Sequence, residues 1–152
     1  MIIMENCKVR IKEIKKVADY TKSFVLEKPN GFKYAPGQHG YIELSADNGK
    51  PFSLVSSPHE KTIEFATIIR DQSSWKQELD KKKIGNELIL SGPYGIFKYE
   101  DSETDVAFIA GGIGITPFIG ILRYINFKKL PTKITMLYSN KSENRTAFKN
   151  EL

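Results

Sequence analysis

Through the first two thirds of the chain, β-branched and aromatic residues fall in short runs, each closed by a turn signal at Pro29-Asn30-Gly31, Ala35-Pro36-Gly37, Asp47-Asn48-Gly49 or Ser57-Pro58. This pattern predicts strands over Lys8 to Ala18, Ser23 to Glu27, Gly40 to Ser45, Phe52 to Ser56, Thr62 to Arg70 and Glu87 to Leu90. Six antiparallel strands suggest a small Greek-key β-barrel, because closure removes the unpaired edges a flat sheet would expose. Between the last two strands, Ser74-Trp75-Lys76-Gln77 has the Ser-x-x-Gln spacing of a capping box and opens a helix to about Lys83, stopped at Gly85.

From Asp105 the pattern changes. Val106 to Ala110 is a continuous apolar run, Gly111-Gly112-Ile113-Gly114 a tight turn, and Thr116-Pro117 an N-cap followed by proline at the first helical position. Lys133 to Tyr138 reads as a second buried strand, and Ser142 or Thr146 can cap a last helix through Ala147 to Leu152. Strand, helix, strand and helix fill this part, which gives two parallel strands where a doubly wound sheet normally has about four or more. The expectation is an α+β chain of two domains: the barrel over residues 1–101 and an incomplete parallel α/β, Rossmann-like unit over 102–152. The boundary falls in the acidic stretch between Lys98 and Asp105.

Of the 152 residues, 40% are hydrophobic and 27% charged, a mixture that buries a core and excludes wholesale disorder. A single cysteine, Cys7, forms no internal disulfide and no thiolate metal cluster, which points to a reducing, cytoplasmic setting. The net charge of +5 favours anionic partners weakly. The lysines at 81–83 and 128–129 read as helix ends, without the interleaved aromatics of a nucleic-acid groove. Met1-Ile2-Ile3-Met4 meets Glu5 at once and is no export signal, and glycines with Pro117 interrupt the one uncharged stretch, Val106 to Leu122, so no membrane span is expected. His39 and His59 stand apart with no acid or thiol at ligand spacing, so no metal site is expected, and no Gly-x-Ser-x-Gly elbow marks a hydrolase.

The turn at Gly111 to Gly114 follows an apolar strand and precedes a helix, so free backbone N–H groups could cradle a pyrophosphate there; an ordinary tight turn explains the glycines equally well. Ser73-Ser74-Trp75-Lys76 offers a second helix start with two hydroxyls and a cation, though capping alone would account for Ser74 and core filling for Trp75. Lys50-Pro51-Phe52-Ser53-Leu54 places a cation, an aromatic and a hydroxyl at a strand start, where a flat heterocycle could pack; alone it is merely a strand. Gly92-Pro93-Tyr94-Gly95 reads as a rigid turn.

Taken in order, Gly37-Gln38, Lys50-Pro51-Phe52-Ser53, Arg70 with Ser73-x-Trp75-Lys76, Gly92-Pro93-Tyr94-Gly95, Gly111-Gly112-x-Gly114-x-Thr116-Pro117 and Tyr138-Ser139-Asn140 resemble the ferredoxin-NADP reductase-like flavoprotein family. The likeness spans about Lys8 to Leu152, the FAD-binding barrel and the first part of the NAD(P)-binding domain. It implies Lys50 toward the flavin phosphate, Phe52 along the isoalloxazine region and Ser53 near its N5, with Pro51 and Leu54 also among the cofactor-binding residues. It implies Arg70, Ser73, Ser74, Trp75 and Lys76 around the FAD diphosphate. Lysine at position 50 departs from the family's arginine and offers a point charge in place of a bidentate fork.

By the same likeness Gly111, Gly112, Gly114, Thr116 and Pro117 meet the nicotinamide dinucleotide, and Ser139 and Lys141 could reach a 2'-phosphate, making NADP as well as NAD a cofactor. The implied activity is a flavin-dependent oxidoreductase that takes hydride from NAD(P)H to FAD, with Ser53 as the catalytic contact, and passes electrons to an unidentified acceptor. The alternative is an FAD-binding electron-transfer subunit without NAD(P)H activity of its own. The family's later strands and its Cys-Gly-Pro-like segment do not occur in this sequence, and two chains could complete each other's sheet as a homodimer.

Overall fold

A computed structural model describes residues 2–45 and 48–152. Asp47, from one predicted turn, and Met1 lie outside the described residues. Six strands form one antiparallel sheet: β1 (Met4–Ala18), β2 (Thr21–Glu27), β3 (His39–Glu43), β4 (Gly49–Ser53), β5 (Thr62–Ile68) and β6 (Glu87–Tyr94), in the order β4-β3-β6-β1-β2-β5. The edge strands meet. Phe52 of β4 packs on Phe65 of β5 with ring centroids 4.9 Å apart, and just past β4 the Val55 N–H donates to the Glu64 carbonyl at 2.7 Å. Ile63 and Phe65 alternate into the barrel core with Phe24, Leu26, Ile42 and Leu90, each 1% exposed or less.

Strand boundaries move relative to the sequence pattern. The first strand begins at Met4, four residues before the predicted Lys8, and the sixth runs on to Tyr94 through the predicted rigid turn. Helix α1 (Ser74–Asp80) lies between β5 and β6 and stops short of Lys83. Its N-cap is Ser73, whose Oγ accepts the Lys76 N–H, so Ser74 opens the helix and does not cap it. Lys81 closes α1, and Lys128 with the left-handed Lys129 closes α2 (Thr116–Lys128), so these lysines do stand at helix ends.

The second half is a parallel pair, β7 (Asp105–Gly111) and β8 (Lys133–Ser139), joined through a 3-10 turn over Gly112–Ile115 and α2. The turn runs directly into the helix. Thr116 is therefore already helical, and its hydroxyl donates back to the Ile113 carbonyl at 3.1 Å in place of the predicted N-cap. Only one face of the pair is covered: Phe108 and Ala110 are buried beneath α2, while their neighbours Ile109 and Leu137 on the other face are 74% and 62% exposed. The last helix predicted from Ala147 is instead two 3-10 turns, Glu143–Arg145 and Lys149–Glu151, with Phe148 in the left-handed region between them. No helix among the described residues is long and apolar enough to cross a membrane.

The halves share a second apolar cluster. Val55 and Ala66 from the barrel meet Ile115, Ile119, Ala147 and Phe148 from the α/β part. Helix α2 comes close because residue 120 is glycine: a Cβ there would lie 2.7 Å from the Leu54 carbonyl oxygen and within 3.3 Å of those of Val55 and Ser56. Backbone cannot step aside as a flexible side chain could. Gly120→Ala is expected to lower stability by about 1–3 kcal/mol in chemical denaturation, the usual cost of overpacking. Gly114→Ala, where a Cβ would meet nothing within 4 Å, should change stability by no more than ~0.5 kcal/mol.

Candidate functional site

Parallel strands present their carboxyl ends to ligands. Here those ends are Gly111 and Ser139, direct partners in the β7–β8 register. They open onto a cleft of about 900 Å³ between the halves. Its barrel wall is the β1–β2 turn with Tyr20 and the end of β5 with Ile68, Arg70 and Asp71; its α/β wall is Gly111, Gly112, Ser139, Lys141 and Arg145. A Cβ at Gly111 or Gly112 would meet nothing within 4 Å, and Gly112 has a φ of +51°, a conformation that glycine adopts freely. The backbone at this turn is thus open to whatever enters the cleft.

The cleft is held at its outer end. The Asp19 N–H donates to the Asn144 carbonyl at 2.9 Å and the Asn144 side chain donates to Asp19 at 2.6 Å, while the Arg145 guanidinium lies over the Tyr20 ring, 4.9 Å from its centroid. These contacts fix the loop after β8, which carries Lys141. Arg145 and Tyr20 were not among the residues singled out in the sequence; a cation and an aromatic 125 positions apart carry no local signal.

Beside the cleft, at the start of α1, stands a group of cations. Partial burial holds the Lys76 ammonium below the ordinary lysine range, and the neighbouring charges of Arg70 and Lys50 push it further down. None of Lys50, Arg70 and Lys76 forms an ion pair among the described residues, although lysines elsewhere do, Lys16 with Asp19 and Lys22 with Asp80 among them. Like charges left together in this way suit an anion of more than one charge, and the α1 start adds free backbone N–H groups. Arg70 belongs to both places: it lines the cleft and acts on Lys76.

The remaining sequence candidates divide by exposure. Lys50, Pro51 and Ser74 are exposed, and Phe52, Ser53 and Ser73 half-buried. Ser53 pairs with His39 in the β3–β4 register, a neighbour that sequence reading had set aside as an isolated histidine. Leu54 and Trp75 are 1% and 4% exposed, with side chains spent on the barrel core. The Trp75 indole stacks on Phe52 at 5.4 Å and donates its N–H to the Asn48 carbonyl, so it presents no open ring face. Gly114 is exposed and Pro117 half-buried on the turn and first helical residues, and Thr116 is buried; none of these lines the cleft.

Comparison with known proteins finds two family matches along the chain. Residues 6–98 match the FAD-binding domain family and residues 108–152 the family described as oxidoreductase NAD-binding domain. The carnitine monooxygenase reductase subunit of Escherichia coli is 27% identical over 95% of this chain and 47% of its own length. The glycine betaine monooxygenase reductase subunit of Pseudomonas aeruginosa is 31% identical over 87% of this chain and 38% of its own. The chain thus spans less than half the length of these curated relatives. Among solved structures, ferredoxin-NADP+ reductase from Plasmodium falciparum superposes with a TM-score of 0.87 at 21% identity, covering 96% of this chain and 63% of that one. With a six-stranded antiparallel sheet leading into a two-strand parallel unit, and with a family match across most of the barrel, the chain belongs to the FAD-binding domain family, followed by a stretch of oxidoreductase NAD-binding domain, and it has the fold of ferredoxin-NADP+ reductase.

Proposed function

We propose that this chain takes hydride from NAD(P)H onto bound FAD and delivers electrons to a separate acceptor, with a barrel domain over 1–101 holding the flavin and a unit over 102–152 receiving the dinucleotide. The observation that carries this reading is the double position of Arg70, which joins the unneutralised cations at α1 to the glycine-walled cleft. Two sites of phosphate-binding chemistry then meet in one place. The donor set fits the diphosphates of both cofactors: Lys50, Arg70 and Lys76 with the Ser73–Ser74 backbone for FAD, and the Gly111–Gly112 backbone with Ser139 and Lys141 for the dinucleotide. Arg145 adds a second cation beside Lys141, which favours a 2'-phosphate and hence NADP. Relatives that serve as monooxygenase reductase subunits point to a protein as the electron acceptor.

Bound FAD supplies the redox chemistry, accepting a hydride and releasing electrons singly or in pairs. The protein's share is placement. Ser53 would hydrogen-bond near N5, Phe52 would border the ring system, and the barrel wall would keep water from one face. A helix-end contact gives typically ~0.3–1 kcal/mol, so ring burial and the three cations must provide most of the flavin affinity.

Mixing the FAD-loaded chain anaerobically with NADH or NADPH should bleach the flavin absorbance; bleaching only after a partner protein is added would favour the electron-transfer subunit instead. Ser53→Ala should slow flavin reduction by about tenfold or more while shifting flavin affinity little, and equal loss of both would exclude the N5 contact. Lys76→Met separates a ligand site from a structural one. Because Lys76 has a depressed pKa, its charged form costs stability when the pH is below both its folded and unfolded values. Lys76→Met should therefore stabilise the ligand-free chain at neutral pH, a gain that fades as pH rises through the window below the ordinary lysine value, yet weaken FAD binding. A variant less stable and unchanged toward FAD would contradict this.

A further inference from the structure

Apolar contact between the halves is itself non-directional. Ala66, Ala110 and Ala147 take part in it with Val55, Ile115, Ile119 and Phe148. Besides the Asp19–Asn144 bonds at the outer end of the cleft, a second directional device crosses the interface. From α2, Arg123 Nη1 donates to Glu64 Oε2 of β5 at 2.7 Å and lies 3.4 Å from the Val55 carbonyl oxygen. Its Nε and Nη2 make parallel 2.8 Å bonds to the two carboxylate oxygens of Glu151, and Glu60 Oε1 stands 3.6 Å from Nη1. The side chain of Glu64 is 4% exposed and that of Arg123 22%. Ser23 Oγ also donates to Glu64, and the Lys15 ammonium lies 3.7 Å from it.

Glu64 is tied to the strand that bears Ser53. Its carbonyl accepts the Val55 N–H, and its own N–H donates to Ser56 Oγ at 2.9 Å. A chain of direct contacts thus runs from the β4 end through Val55, Ser56, Glu64 and Arg123 into α2, whose first turn continues the Gly112–Ile115 turn. Burying such a pair brings little net stability, since desolvation offsets the attraction. What a planar fork held between carboxylates does supply is one geometry.

We propose that Arg123 is a positioning residue: through Glu64 it sets the distance and angle between the Gly111–Ile115 turn and Ser53, so that a dinucleotide held at the turn meets the flavin held at the strand. This rests on the reductase reading above. Burial disfavours the Arg123 charge, but its bonds to Glu151 and Glu64 outweigh this and hold it above the ordinary arginine range, so the guanidinium stays charged.

Two variants test the role. Arg123→Lys keeps a charge but loses the fork; Arg123→Gln combined with Glu64→Gln removes both charges and leaves no buried ion unpaired, which keeps it foldable. In the FAD-loaded chain, both are expected to lower the limiting rate of flavin reduction about tenfold or more. The half-saturating dinucleotide concentration and the flavin dissociation constant should each stay within about twofold, and the melting temperature of the double variant close to the parent's. A limiting rate within twofold of the parent, or a loss that follows flavin release or melting, overturns the role. Amide hydrogen exchange on the chain without dinucleotide reads the clamp independently of redox chemistry: Val55, Ser56 and the Gly112–Ile115 turn should exchange faster in Arg123→Lys while the β1–β2 core does not. Unchanged exchange overturns the clamp. If neither NADH nor NADPH reduces the parent chain, the reductase reading falls and the positioning role with it, while exchange still reports whether the clamp exists.

Discussion

Three successive carbonyls, those of Leu54, Val55 and Ser56, are the surface on which the second half of the molecule is built. The segment that carries them is pinned from the barrel side. Val55 N–H reaches across to Glu64, the Ser56 hydroxyl accepts the Glu64 N–H, and the Tyr34 hydroxyl is 3.0 Å from the Ser56 carbonyl oxygen and 2.9 Å from its hydroxyl. Burial keeps the Tyr34 phenol protonated far above its ordinary range, so these bonds do not change with pH. Because the segment cannot yield, α2 approaches it only through Gly120, and the close approach lets Val55, Ile115 and Ile119 be buried to 1% exposure or less. Each such aliphatic side chain contributes about 1.5–3 kcal/mol relative to exposure.

The cleft follows from that docking. Once α2 lies on the post-β4 backbone, the carboxyl ends of β7 and β8 face the end of β5 and the β1–β2 turn. Asn144 and Arg145 then fasten the far side to Asp19 and Tyr20. The result is a cleft walled by strand ends and turns, with the loop that holds the Glu143–Arg145 3-10 turn along one side.

Much of this was legible before any coordinates. Alternation and turn signals located all six barrel strands, and the switch to a continuous apolar run at Val106 marked the second half. Local rules failed where a neighbouring element supplied the competing bond. Ser74 had a capping-box spacing, but Ser73 was already placed to accept the Lys76 N–H. Thr116 looked like an N-cap until the 3-10 turn before it offered the Ile113 carbonyl. Trp75 belonged to a motif, yet Phe52 and the Asn48 carbonyl took up its ring and its N–H. Gly120 and Arg123 gave no signal at all, since their importance lies in contacts to Leu54 and Glu64, about sixty residues away.

Charge serves two separate ends in this protein, and the distinction explains where each cation sits. Arg123, Lys15 and Lys22 are matched to carboxylates along the barrel flank and the interface, where a satisfied pair specifies geometry more than it adds stability. Lys50, Arg70 and Lys76 form no ion pair among the described residues, and the charges of the first two add to the burial that disfavours the Lys76 ammonium. An anion of more than one charge placed beside them would relieve the repulsion that Arg70 and Lys50 exert on Lys76.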